Sequence, residues 1–220
     1  MKSPKSSAMP QRERVTASIR DRILNGSFKP GEPLRQIPLS KEFGVAQTVI
    51  REVLQILAQQ GLVSAITNVG VFVREMGPQE LLGAYQVREV LEGLAARLCC
   101  RTVSRADIES LESSAHQIYA ARGPAKRSLR SELEREFHDR FLKLSDNETL
   151  IRQSAGYQFI GDIIVTDRDR DEVLEEHLSI VNAIATNKPD KAEKFARLHV
   201  VASAQSIRDH YAAKGEGPQV

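Results

Sequence analysis

Apolar residues recur at helical spacing in two blocks, and a short β-patterned stretch separates them. Val15, Ile19, Ile23 and Leu24 fall on one side of a helix over 12–24, which Asn25-Gly26 ends. Lys29-Pro30-Gly31 turns the chain. Leu39 to Phe43 predict a short second helix, Gly44 a tight turn, and Val49, Ile50, Val53, Leu54 and Leu57 an apolar stripe along a third. Gly61 stops that helix. LVSAI and VFVRE are then β-branched runs joined by Thr67-Asn68-Val69-Gly70, the chemistry of a hairpin turn. A helix-turn-helix followed by such a hairpin predicts a winged helix.

Beyond Met76-Gly77-Pro78 no strand pattern competes with the helical one. Segments near 79–100, 104–121, 130–145, 147–166, 170–186 and 189–213 are separated by Gly123-Pro124, Asp146-Asn147, the charge run from Asp167 to Asp171 and Asn187-Lys188-Pro189. Short connections between six helices predict an antiparallel bundle, whose interior suits a small ligand or a metal. The predicted fold is therefore mainly α: an N-terminal winged helix-turn-helix with a small β-hairpin wing, then an all-α antiparallel bundle. Residues 1–10 read as a flexible polar arm, 11–75 as the winged helix, 76–78 as a linker, 79–213 as the helical domain and 214–220 as a tail.

Composition narrows the setting. The 220 residues allow two modest domains, and 41% hydrophobic content is ordinary for a globular chain. No stretch reads as a transmembrane span or signal peptide. The adjacent pair Cys99 and Cys100 suits buried thiols in a reducing cytoplasm better than a disulfide, which predicts a cytoplasmic protein. Net charge is only +2, yet residues 1–78 hold 11 Lys and Arg against 6 Asp and Glu, while the remainder holds 20 against 23. A basic N-terminal half suits contact with nucleic-acid phosphates, and it equally suits a solvated surface.

Two sets of residues carry candidate chemistry. On the outer face of the third predicted helix, Gln47, Thr48 and Arg51 lie near the N-terminus, where a recognition helix meets base edges and phosphates of double-stranded DNA. Arg51 could instead be tied to Glu52 or Gln55 on the helix surface. The second set is built on histidine. Glu134 and His138, four apart, share a helix face. His177 and His199 each lie 11 residues from Lys188, so a hairpin about that residue brings the two imidazoles side by side. Three imidazoles and one carboxylate suit zinc, nickel, manganese or another divalent ion. His116 and His210 fall outside this arrangement and read as surface residues.

The order of a first helix, then PGEPLR, LSKEFGVAQTVIREVL and a wing of the form NVGVFV, resembles the GntR family of bacterial transcription regulators. Leu39, Gly44, Val45, Thr48, Arg51, Glu52 and Leu54 match the family's turn and recognition helix; Ala46, Gln47 and Val49 replace the usual Ser, Arg and Pro. The resemblance implies operator contacts from Arg35 and Arg51 and a wing tip at Gly70 that enters the minor groove. Where the family commonly reads guanine, Gln47 suits adenine N6 and N7. LEREFHDRFLKLSDNETL followed by EHLSIVNAIATNKPDKAEKFARLHV resembles the FCD effector-binding domain of the FadR branch. His138, His177 and His199 match its histidines, including the last interval of 22 residues, and Glu134 replaces the usual Asp. QVREVLEGLAARL resembles that domain's first helix and implies a cavity-facing role for Arg88, which could equally form a surface salt bridge with Glu92. The helix count is similar to that of the VanR subgroup.

The resemblance implies a metabolite-responsive regulator, chiefly a repressor, that binds a pseudo-palindromic operator as a homodimer. A small carboxylate effector would meet a divalent metal, zinc first among the candidates, on Glu134, His138, His177 and His199, with Arg88 beside it. Two alternatives stand beside this reading: a metal-dependent enzyme, and a regulator whose metal is purely structural. The first lacks a free general base, since all four cluster residues are used as ligands.

Overall fold

The computed structural model describes residues 10–157 and 168–215. The chain separates into two compact units, 1–75 and 76–220. The arm expected over the first ten residues lies outside the described residues except for Pro10, as does the end of the expected tail.

In the first unit, α1 (Gln11–Leu24), α2 (Gln36–Phe43) and α3 (Gln47–Gln59) precede a hairpin of β1 (Val63–Ile66) and β2 (Gly70–Val73). Each boundary has a local cause. Gly44 adopts φ 63°, a left-handed geometry that ends α2 without a Cβ clash. Gly61, at φ 73°, ends α3 while the Leu62 amide reaches back to the Leu57 carbonyl at 3.0 Å. Val63 pairs with Val73 and Ile66 with Gly70, leaving Thr67–Val69 as the tip. The stretch before α2 also lies along β2: the Leu34 amide donates to Val71 and the Val73 amide to Glu32. Val15, Ile19, Ile50, Val53 and Leu57 are almost completely removed from water beneath α1 and α3. At roughly 1.5–3 kcal/mol for each fully buried aliphatic side chain, this core is what orients α3.

The second unit is helical among the described residues: α4 (Pro78–Cys99), α5 (Arg105–Ala120), α6 (Arg127–Leu144), α7 (Glu148–Ser154), α8 (Arg170–Ala185) and α9 (Pro189–Ala213). The starts of these helices are written in the sequence. Pro78 and Pro189 occupy first-turn positions, Ser104 and Asp107 form a capping box, Asn147 caps α7 and Asp169 caps α8. The helix expected over 147–166 is not continuous. It stops at Ser154, whose hydroxyl bonds back to the Leu150 carbonyl, and tightens into a 3-10 turn over Ala155–Tyr157 that contains Gly156. The rest of that segment lies outside the described residues. Phe137, Phe141, Leu111, Ile180 and Ile184 form the bundle core. Among the described residues no helix is long and apolar enough to cross a membrane.

Candidate functional site

The bundle interior holds a cavity of about 160 Å³ whose walls come from α4 to α9. Four of its lining side chains are Glu134, His138, His177 and His199, and one ligand atom from each lies within 4.8 Å of all the others. The local folding reasons are those the spacing suggested. Glu134 and His138 are one turn apart on α6. Asn187, at φ 49°, makes the tight turn between α8 and α9, and the His177 and His199 rings meet with centroids 4.6 Å apart. Glu134 Oε2 is 3.8 Å from His138 Nε2 and 3.5 Å from His177 Nε2.

Two carboxylates that the sequence did not connect with these histidines stand behind two of them. Glu92 Oε2 approaches His138 Nδ1 to 2.8 Å, obliquely to the hydrogen-bond direction, and Glu176 Oε2 lies 2.7 Å from His199 Nδ1. Carboxylates on Nδ1 fix the ring orientation and leave Nε2 of both histidines for another partner. The carboxylates are themselves held. Arg88 donates to Glu92 through Nε at 2.9 Å and through its terminal nitrogen at 2.6 Å, and Arg168 donates to Glu176 at 2.6 Å. Burial would raise the pKa of Glu92, but Arg88 and His138 together hold it well below the usual carboxylate range. Burial opposes ionisation of Glu176 as well, yet His199 and Arg168 bring it down to about 2. Both second-layer acids are therefore ionised at neutral pH.

The histidines differ in consequence. Burial disfavours the imidazolium of His138, but Glu92 outweighs it and raises the pKa. Burial lowers His199, with Glu176 offsetting part of the effect. His177 has 0% exposure, and burial, then His199 and His138, push it far below the ordinary imidazole range. Among the described residues neither ring nitrogen of His177 has a hydrogen-bond partner, and the Glu134 contact lies outside hydrogen-bonding geometry. A buried, neutral, unpartnered imidazole costs on the order of 1–3 kcal/mol. A cation bound by its lone pair removes that cost, and neutral imidazole is the form a metal requires. The four ligand atoms, all within 4.8 Å of one another, would converge on one ion through side-chain rotation. The donor set fits a divalent metal.

The Arg88–Glu92 pair is largely buried rather than on the helix surface. Arg88 pairs with Glu92 and also lines the cavity, because Glu92 is itself a buried cavity residue at 7% exposure. His116 is exposed and His210 half-buried, and neither joins the cluster.

In the first unit Gln47 and Thr48 are the opening residues of α3, Arg51 follows one turn later, and Arg35 occupies the position before α2. All four are exposed, as is Gly70 at φ 145° beside the hairpin tip. Glu52, a candidate partner for Arg51, pairs instead with Arg12 at 3.5 Å. Arg51 makes no ion pair among the described residues.

Residues 11–73 match the bacterial regulatory proteins of the gntR family and residues 83–202 match the FCD domain. The chain belongs to the GntR family of transcription regulators, in its FCD-containing branch. It is 28% identical over 175 residues to the Nta operon transcriptional regulator of Aminobacter aminovorans, covering 79% of this chain and 83% of that one. It is 27% identical over 199 residues to a protein of Paenarthrobacter nicotinovorans assigned as the transcriptional repressor of its D-xylose utilization operon, covering 87% and 88%. Among solved structures, Escherichia coli McbR/YncC superposes with a TM-score of 0.73 at 18% identity, covering 93% of this chain and 100% of that one. The likeness to that structure concerns the fold. Relatives and domains alike are those of DNA-binding regulators, not enzymes.

Proposed function

We infer that this regulator senses a small carboxylate at a metal held by Glu134, His138, His177 and His199, and that it reads a pseudo-palindromic operator as a homodimer. The observation that carries the reading is His177: completely buried, neutral, without a hydrogen-bond partner among the described residues, and surrounded by two further imidazoles and a carboxylate. When bound, the metal supplies a Lewis-acid position for an effector carboxylate. Glu92 and Glu176 orient His138 and His199, and Arg88 adds a charge-assisted donor on the same cavity wall. A purely structural ion would need no cavity beside it, and here the four ligands face one.

Gln47, Thr48 and Arg51 are the base-reading and phosphate-contacting side chains of α3, Arg35 adds a backbone contact, and Gly70 lets the wing approach the minor groove. α4 starts at Pro78, directly after the first unit, and carries Arg88 and Glu92, so a ligand that repositions these side chains acts on the helix joined to the DNA-reading domain. A second copy of the chain suits the exposed apolar side chains Val87, Val90 and Leu94 on α4 and Leu198 and Val201 on α9, two helices that pack together. Repression of a catabolic operon accords with the roles named for the relatives.

The test is metal content and ligand binding together. The purified protein carries about one divalent ion per chain, and replacing His177 and His199 jointly by Ala removes it, because two ligands on one helix cannot hold the ion against water. Organic acids that raise the melting temperature of the loaded protein lose that effect in the double variant. Retention of both metal and acid binding by the double variant overturns the assignment.

A further inference from the structure

The cavity carries more positive charge than a single carboxylate uses. Five arginines line it, Arg88, Arg130, Arg135, Arg168 and Arg170, against the carboxylates Glu92, Glu134 and Asp139. Most of these cations are matched. Arg88 belongs to Glu92, Arg168 to Glu176, and Arg135 stands with Lys143 near Asp139. Glu134 is one of the four cluster residues. Arg170 differs: its described bond runs to the backbone carbonyl of Ala121 at 2.9 Å, and it has no carboxylate partner among the described residues. One such bond leaves most of a guanidinium's five N–H donors available. The neighbouring acids Asp169, Asp171 and Glu172 are exposed and do not line the cavity.

Position along the helices places this charge away from the metal ligands. Arg170 is two turns before His177 on α8, a rise of about 10 Å, and Arg130 is one turn before Glu134 on α6, about 6 Å. Both fall in the first turn of their helices. The Ala121 carbonyl that Arg170 holds lies at the end of α5, six residues before the start of α6, so the two arginines belong to the same end of the cavity. Ser131 and Tyr119 add hydroxyls to the lining.

We propose that the cavity takes an acid with two anionic groups, one at the metal pole beside Arg88 and the other held at the far end by Arg170. The proposal rests on the carboxylate-sensing reading above and deepens it. Arg170 starts about 10 Å along α8 from His177, and the 160 Å³ of space accommodates an acid of about four to six carbons. The second group is a carboxylate or a phosphate ester, since a guanidinium fork binds either in the same bidentate manner.

Calorimetry on the full-length, metal-loaded protein separates these cases with two pairs matched in length, valerate against glutarate and hexanoate against adipate, and with glycerate against phosphoglycerate, which share a carbon skeleton. The member with the second anionic group binds about tenfold more tightly or better, as one charge-assisted contact predicts. The pair that shows the preference identifies carboxylate or phosphate. Arg170→Gln erases the preference while leaving the singly charged acid unchanged, and Arg170→Lys keeps most of it; melting curves establish that both variants are folded. Equal binding within every pair, or an equal loss of both members in Arg170→Gln, overturns the second pole and leaves the single-carboxylate reading standing. If no acid binds a protein that still holds its metal, both readings fail.

Discussion

The two units place their polar chemistry in opposite surroundings. In the first, Arg35, Gln47, Thr48 and Arg51 stand in solvent at the edge of α2 and α3. In the second, His177 and His199 are sealed inside the bundle, with Glu176 behind His199. An exposed cation is already solvated, so its presence adds little cost to the folded state. A buried imidazole has given up water and depends on what replaces it. Stability and function are thus nearly separable in the first unit and joined in the second.

Metal removal gives the largest expected break in that contrast. Stripping the ion with a chelator leaves His177 buried without a partner. Readdition of the metal at 100 times its dissociation constant stabilises the folded state by about 2.7 kcal/mol. Hydrogen exchange reads this unit by unit: amides of α6, α8 and α9 that exchange through global opening of the bundle slow about a hundredfold, while those of α1 to α3 stay unchanged. Equal protection gained in both units, or in neither, would contradict the separation of the two surroundings.

The same contrast governs what could be read from residue order. The four ligand candidates were legible because each pair depends on local geometry, a helix turn for Glu134 and His138 and equal distance from Lys188 for His177 and His199. Glu92 and Glu176 were not. Glu92 reaches His138 from another helix, and nothing in the spacing of α4 reports what α6 will bring against it. Glu176 sits beside His177 in the chain but serves His199, since neighbouring helical residues point in different directions. A signal for Glu92 did exist: an acid inside the apolar run of α4, four residues after Arg88, is an ion pair that burial would otherwise penalise. The winged unit was legible almost throughout, since its turns fall at glycines with positive φ. Missed there was the pairing of Glu32–Leu34 with β2, a stretch too short and too proline-rich to carry a strand pattern. The break after Ser154 escaped for the opposite reason, a hydroxyl bond to the preceding turn in a segment of sound helical periodicity.

A smaller effect is expected from Arg51→Ala, which probes the exposed side of the comparison. The side chain is exposed and makes no ion pair among the described residues, so its removal shifts unfolding free energy by no more than about 0.5 kcal/mol. Loss of a contact to a base edge or phosphate costs about 1–3 kcal/mol, a fall of roughly 5- to 150-fold in operator affinity. Denaturation and DNA titration of the same sample measure both quantities. A large loss of stability with intact operator binding would make Arg51 a structural residue and remove the contrast between the units at this position.

The smallest change in overall affinity, and the sharpest in specificity, is expected at Gln47. It is the first residue of α3 and exposed, with Ala46 before it and Thr48 after it, so neither neighbour supplies a charge that would dominate the contact. A glutamine amide donates to adenine N7 and accepts from its N6 amino group, whereas an arginine fork donates to both guanine O6 and N7. Gln47→Arg therefore exchanges adenine for guanine at one position in each operator half-site. A favourable phosphate field around the added cation offsets part of any lost complementarity, so total affinity changes less than the preferred base does. Selection from a randomised duplex pool, run in parallel on both proteins at one salt concentration, reads the preference directly. An identical consensus from the two pools would show that Gln47 does not face a base, and would assign the reading of that position to Thr48 or to the shape of the duplex.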